Sequence, residues 1–332
     1  MNINDMLEKC LEIPEISVKQ NEYRMELILD SKDGTGQMAF FSLFPGITLA
    51  YIHVNAALWK APDMQGIAPN GKGFLLFNYC VEGRCELELN NQNYVYVKER
   101  EMSLTEHFAQ DQYVYPSRLY KGIEFFIDTD TFSKSCPYAA TEYGIDFSKL
   151  IALYCPGEST FISASPDALA APLGKLWESI DLPFPFALAQ MRIYTLALFS
   201  ALQNRKEIPA TRACAFFTKT QVDIAKRTEQ ILTADLRQHH PARELAEMFS
   251  ISETSLKNYF RGVFGQNPSA YLKKIRLNTA AHLIATTKCS ISEIAEQVGY
   301  LNQSKFATVF KNQFGMSPLE YRRVKALENS GK

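Results

Sequence analysis

The last third of the chain is written twice. Leu245–Arg276 (LAEMFSISETSLKNYFRGVFGQNPSAYLKKIR) aligns with Ile294–Arg323 (IAEQVGYLNQSKFATVFKNQFGMSPLEYRR). Phe260 matches Phe310, Phe264 matches Phe314, Gly265 matches Gly315, Pro268 matches Pro318 and Tyr271 matches Tyr321, each fifty residues apart. Ala246 and Ala295 are forty-nine apart, so the second copy carries one extra residue in the turn between its helices. Such a duplication requires two copies of the same supersecondary unit, packed as neighbours.

Each copy has the pattern of two short helices joined by a tight turn. Leu245-Ala246 and Ile294-Ala295 belong to a first helix whose small alanine permits close packing. Gly299 suits the break in the second copy, because it adopts positive φ without a steric penalty. Ser252 and Asn302 are expected N-caps of the second helix. Its buried face is expected to be Leu256, Tyr259, Phe260 and Val263 in one copy. In the other it is Phe306, Val309, Phe310 and Gln313, with Phe314 adjoining. Gly265 and Gly315 stop these helices, and Asn267-Pro268 and Ser317-Pro318 start new ones. Ser290–Glu293 and Ser317–Glu320 read as capping boxes. The unit is a helix-turn-helix, whose second helix fits the major groove. A helix over Pro268–Ala285, with Leu272, Ile275, Ala280, Leu283 and Ile284 as shared spine, would hold two reading helices about one DNA turn (~34 Å) apart.

Charge follows the same division. Residues 219–332 hold 17 Lys+Arg against 10 Asp+Glu, net +7. The rest hold 18 against 26, net −8, so the near-neutral total of −1 hides a basic end suited to a polyanion. No 18-residue uncharged apolar run exists, so no membrane span is expected. The first twenty residues lack a signal-peptide pattern. Seven cysteines without a CxxC argue against a disulfide framework or structural zinc site, and favour a reducing cytoplasm. No nucleophile elbow, phosphate loop or paired-histidine motif points to an enzyme.

The segment IAEQVGY…FATVFKNQFGMSPLEYRR closely resembles the signature of the AraC/XylS family, and the resemblance extends over about residues 220–326. It implies a seven-helix domain with two helix-turn-helix units. The implied activity is sequence-specific transcription control, most often activation through contact with RNA polymerase at double-stranded promoter DNA. Matched position by position, the reading helices expose Thr254, Ser255, Lys257 and Asn258, and Gln303, Ser304, Lys305 and Thr308. Thr254, Lys257, Asn258, Gln303, Ser304 and Thr308 are the expected base readers, since lysine suits guanine edges and amides suit adenine. Arg261, Lys305 and Lys311 are the expected phosphate contacts. Neither reading face carries an arginine, a departure from many relatives.

Upstream, residues 1–160 read as a β-rich effector domain, 161–218 as a helical dimerisation segment and linker, and 219–332 as the DNA-binding domain. The expected class is α+β: a small β-sandwich or cupin-like domain, helices, then an all-α domain. Expected strands are Ile47–Val54, Phe74–Val81, Arg84–Leu89, Tyr94–Val97 and Gly122–Asp128, with a hairpin turn at Asn90–Asn93. Pro166–Ile180 and Phe186–Gln203 read as helices separated by the two prolines of DLPFP. On the second, Leu188, Met191, Thr195, Leu198 and Leu202 form a stripe for homodimerisation, and apolar residues beside it suit the helix to pack on both its own domain and a partner. Residues 204–218 read as linker.

The β-rich part resembles the effector-binding domains of some family members, which implies an unidentified small-molecule ligand. Candidate lining residues are Tyr51, His53, Asn55, Trp59 and Tyr79, with Lys60 or Arg84 for an anionic ligand. His53 and His107 are too far apart in sequence for a metal motif, so no metal or other cofactor is expected. An alternative reading is a cupin-like metal enzyme or DNA-repair protein fused to a DNA-binding tail. Cys10, Cys80, Cys85, Cys136 and Cys155 lack the clustered spacing that the repair proteins use. A purely architectural DNA binder is the third reading, disfavoured by the acidic, independently patterned first two thirds.

Overall fold

The computed structural model describes residues 13–21, 23–60, 73–89, 93–106, 112–205 and 216–330. Contacts divide the chain into two compact units, Met1–Phe216 and Phe217–Lys332.

The first unit contains strands β1 (Ile16–Gln20), β2 (Arg24–Ser31), β3 (Gly34–Phe44), β4 (Ile47–Asn55), β5 (Leu58–Lys60), β6 (Phe74–Leu89), β7 (Asn93–Lys98), β8 (Glu101–Thr105), β9 (Gln112–Val114) and β10 (Tyr120–Asp128). Helices α1 (Thr129–Ser135), α2 (Ala139–Glu142) and α3 (Phe147–Tyr154) follow, then β11 (Phe161–Ala164), α4 (Asp167–Ser179) and α5 (Phe186–Gln203). Strands β1-β2-β3-β4-β10-β6 lie side by side, and the described pairs are antiparallel. The first half of β6 pairs with β10 and β8, its second half with β7 and β9. The expected strands Phe74–Val81 and Arg84–Leu89 are one continuous strand. Glu82 and Gly83 still pair with Lys121 and Tyr120, after a one-residue register shift between Lys121 and Gly122, so the partner strand carries β6 across its bend. At that bend a β-carbon on Gly83 would lie 1.9 Å from the Leu119 carbonyl oxygen.

Both faces of this sheet are covered, and alternation along each strand decides which residue goes where. Ile47, Leu49 and Tyr51 of β4, with Leu75 and Phe77 of β6 and Ile123, Phe125 and Ile127 of β10, meet the helices. Ala50, Ile52 and Val54, with Leu76, Cys80, Tyr120 and Phe126, form a second core. That second core also joins Ile16 of β1 to Val95 and Val97 of β7, strands near opposite ends of the sheet. Strands so far apart in order share a core only when the sheet curls, which makes this unit a cupin-like half-barrel.

A chain of polar groups runs through the curled interior. Tyr120 donates to Asn78 Oδ1 at 2.7 Å, and Asn78 Nδ2 donates to Glu124 Oε1 at 3.2 Å. Glu124 is 3% exposed, and burial pushes its carboxyl up to about 8. Gly122 makes the room, since a β-carbon there would sit 2.5 Å from the Tyr120 hydroxyl.

Two expectations for this unit are corrected. Three helices, α1 to α3, stand within a stretch read as mostly strand. They are short, and Asp128 and Asp146 cap α1 and α3 through their side chains. The α5 stripe is also not a free face. Leu188, Met191, Thr195, Leu198 and Leu202 are all buried, and the four apolar ones pack in the unit's own helix–sheet core. Outward-facing apolar residues on α5 are Phe186 and Ile193, 51% and 56% exposed. The hairpin turn at 90–92, His107 and linker residues 206–215 lie outside the described residues.

The second unit has seven described helices, as the resemblance implied: α6 (Lys219–Ala234), α7 (Ala242–Met248), α8 (Glu253–Phe264), α9 (Pro268–Thr286), α10 (Ile291–Gln297), α11 (Gln303–Phe314) and α12 (Pro318–Ser330). The duplication is visible in its aromatic packing. Phe260, Phe264 and Tyr271 contact one another with ring centroids 4.5, 5.4 and 5.0 Å apart. Phe310, Phe314 and Tyr321 repeat this at 4.5, 5.5 and 5.5 Å.

Candidate nucleic-acid interface

Helices α7 and α8 form one helix-turn-helix, α10 and α11 the other, and α9 joins them. Local sequence builds each turn. In the first, the Ile251 N–H donates to the Ala246 carbonyl at 3.1 Å, and in the second the Tyr300 N–H donates to that of Ala295 at 2.8 Å. Ile251 therefore corresponds to Tyr300. Ser252 then caps α8 directly, whereas Leu301 intervenes before Asn302 caps α11. Leu301 is thus the inserted residue, and it is fully exposed. Sequence alignment located the insertion without naming it; the hydrogen-bond register does.

The caps fix the direction of both second helices. Ser252 Oγ accepts from the Ser255 N–H at 3.0 Å, and Asn302 Oδ1 accepts from that of Lys305 at 2.8 Å. Gly265 and Gly315 end the helices in the left-handed region at φ +80 and +77. Ser290–Glu293 and Ser317–Glu320 form reciprocal capping bonds, which hold Glu293 and Glu320 below the usual carboxylate range. Asn267 occupies the N-cap position of α9, but its side chain accepts from Arg261 instead.

Thr254 and Asn258 on α8, and Gln303, Ser304 and Thr308 on α11, are exposed. All but Gln303 lie on the sides opposite the buried phenylalanines, whereas Gln303 opens α11 three and seven residues before Phe306 and Phe310, in line with them. Lys257 is half-buried and ion-paired with Glu253 one turn earlier. An i,i+4 pair of this kind contributes only ~0.3–0.5 kcal/mol, so a phosphate or base edge displaces it at little cost. Thr308 donates its hydroxyl to the Ser304 carbonyl at 3.0 Å, which leaves its methyl and lone pairs for a ligand. Ser255 is half-buried and engaged with Ser252, so its hydroxyl supports the cap. Among the expected phosphate contacts, Lys305 and Lys311 are exposed, while the exposed Arg261 guanidinium is held by Asn267 Oδ1 at 2.8 and 3.1 Å. One core assignment is corrected: Gln313 is exposed, although Val263 at the matching position is fully buried. The second unit closes its core with Phe306 and Phe310 and needs no third inward position there.

The expected effector residues do not converge. Tyr51 lies in the helix-facing core and donates to the Leu176 carbonyl, whereas Trp59 lies in the curled interior. His53 and Asn55 are exposed, Tyr79 packs half-buried on the helix side, and Arg84 stands 5.8 Å over the Tyr96 ring. The side chain of Lys60 is outside the described set. Strand alternation sends odd-numbered β4 residues to one face, and Trp59 on β5 to the other. The interior polar residues Asn78, Tyr120 and Glu124 escaped sequence reading, because their strands read as ordinary β-formers.

Residues 245–324 match the family of helix-turn-helix domains. The RCS-specific HTH-type transcriptional activator RclR of Escherichia coli K12 is 40% identical over 84 residues, 25% of this chain and 30% of that protein. The HTH-type regulator AlkR of Acinetobacter baylyi is 35% identical over 79 residues, 24% of this chain and 26% of that protein. The solved C-terminal domain of AraT, a response regulator from Geobacillus stearothermophilus, is 35% identical across 30% of this chain and 84% of that chain, with a TM-score of 0.29. The chain spans from about a tenth to about half of the length of the curated relatives it matches. Their shared segment is the duplicated one described above. The C-terminal unit of this chain is a helix-turn-helix DNA-binding domain of the AraC/XylS family.

Proposed function

We propose that the chain is a cytoplasmic transcriptional regulator that reads one promoter duplex with both α8 and α11. The observation that supports this most directly is the pairing of two exposed polar helix faces on the basic third of the chain. Thr254, Lys257, Asn258, Gln303, Ser304 and Thr308 face base edges, and Arg261, Lys305 and Lys311 face phosphates. Activation through RNA polymerase is the favoured sign, in keeping with the activator among the relatives. The half-barrel receives a small-molecule effector, and the chain dimerises through the outward side of α5, where Phe186 and Ile193 are exposed.

The test is gel-shift titration of the full chain against genomic promoter fragments over a salt series. A specific fragment should be retained, with affinity falling steeply as salt rises through counterion release. Failure to retain any fragment above bulk DNA at low salt refutes the reading. Asn258→Ala should change which fragments are retained, whereas Lys311→Ala should weaken all alike. Sedimentation of a monomer at micromolar concentration would refute dimerisation.

A further inference from the structure

Three segments of the C-terminal unit meet at one point. The first is the turn after α6, where Gln238 N–H donates to the Asp235 carbonyl at 3.1 Å. Asp235 also orders this turn by accepting from the backbone and guanidinium of Arg237, each at 3.0 Å. The second is Arg276, midway along the connector α9, whose Nη2 donates to the Gln238 carbonyl at 2.9 Å. The third is the turn between α10 and α11. A β-carbon on Gly299 would lie 2.3 Å from the Leu236 carbonyl oxygen, and 2.8 and 2.9 Å from Arg276 Nη2 and Cζ.

Backbone conformation alone does not explain this glycine. Gly299 has φ +81, but Ser250, at the matching place in the first unit, holds φ +55 with a side chain present. What demands a glycine at 299 is the closeness of the opposing turn and the guanidinium. The junction therefore ties the entry to the first helix-turn-helix to the turn of the second, with Arg276 wedged between. Tyr300, next in sequence, also interacts electrostatically with Arg276.

We propose that Arg276 is a positioning residue, locked between the 235–238 turn and Gly299, that fixes the relative placement of α8 and α11 and thereby sets the spacing between the two DNA subsites the chain accepts. This rests on the reading that both helices engage one duplex. The lever is long. A ~10° change at the junction moves a helix ~34 Å away by ~6 Å, nearly two base-pair rises of ~3.4 Å. A chain held by α9 alone tolerates a wider range of spacings. A chain held by α9 and this junction does not.

The probe is the duplex that the full chain enriches from a randomised pool. It is rebuilt with one to three base pairs added or removed between its halves, and also as each half alone. Wild type is expected to lose ~10-fold or more in affinity for a one-base-pair change, comparable to a mismatch. Arg276→Ala should bind each half as wild type does, bind the parent duplex less tightly, and lose less than ~3-fold on the same change. The salt slope on each half should stay unchanged, since a lost phosphate contact would lower it by ~1. Arg276→Lys should behave like Arg276→Ala if the guanidinium's reach matters, despite keeping its charge. Gly299→Ala, which crowds the same junction while leaving Arg276 in place, should flatten or shift the spacing profile and serves if Arg276→Ala does not fold. An Arg276→Ala profile as sharp as wild type overturns the proposal while leaving two-helix binding intact. So does a lowered salt slope on a single half, which makes Arg276 a DNA contact. A wild type indifferent to spacing refutes the two-helix reading itself, and the proposal with it.

Discussion

Glu124 makes the first unit of this chain sensitive to pH in a direction opposite to that of most carboxylates. Its carboxyl is buried in the curled interior, bonded to Asn78 Nδ2, and burial raises its pKa from 4.5 to about 8. The folded state therefore holds a proton that the unfolded chain releases. Below pH 4.5 both states are protonated and the group costs nothing. As pH rises from 4.5 towards 8, unfolding gains free energy from proton release, at ~1.4 kcal/mol per pH unit. The loss of stability is then about 3 kcal/mol at pH 7 and about 5 kcal/mol above pH 9. Glu124→Gln keeps an oxygen that accepts from Asn78 and stays neutral at every pH. The variant should match wild type within ~1 kcal/mol near pH 4.5 and exceed it by about 3 kcal/mol at pH 7. Urea unfolding of the full chain, followed by tryptophan fluorescence, isolates the effect. The two tryptophans, Trp59 and Trp177, both belong to the first unit. A stability difference that stays flat between pH 4.5 and 8 would falsify the reasoning, because it would mean that Glu124 ionises in the folded state as it does in water.

Other substitutions probe the packing. Phe310→Ala removes a fully buried ring at the centre of the second aromatic cluster and should destabilise the C-terminal unit by ~3–5 kcal/mol, read as a lowered urea midpoint by far-ultraviolet circular dichroism. Met191→Ala should cost the first unit ~2–5 kcal/mol in the tryptophan-fluorescence assay, without dependence on protein concentration, because the side chain packs inside its own unit. Leu301→Ser should leave stability within ~0.5 kcal/mol, since the fully exposed side chain buries nothing; a larger loss would show that the insertion packs against the domain. Gly315→Ala should cost ~1–2 kcal/mol for its left-handed φ alone, there being nothing among the described residues, its chain neighbours aside, within 4 Å of the new methyl, and Gly299→Ala should cost more, both read as lowered urea midpoints by circular dichroism.

The duplication, the helix ends and the caps were legible in the sequence because each is a local device. A serine caps the helix that begins beside it, a glycine ends the helix it follows, and a phenylalanine stripe at helical spacing states its own buried face. The seven-helix count rests instead on the family resemblance that these residues carry. Tertiary structure decided what such signals cannot carry. The α5 stripe reads equally well as a dimer seam and as a core face, and only the sheet packed against it makes it core. Gln313 sits where Val263 is buried in the first copy, and its exposure depends on how Phe306 and Phe310 fill the space. Tyr51 and Trp59 share the parity that would place them on one face of a single strand, but the chain breaks between β4 and β5 and they enter different cores. The role of Arg276 was the least legible. Its neighbours Gln238 and Gly299 lie 38 and 23 residues away, the first engaged through a backbone oxygen whose position no residue type encodes.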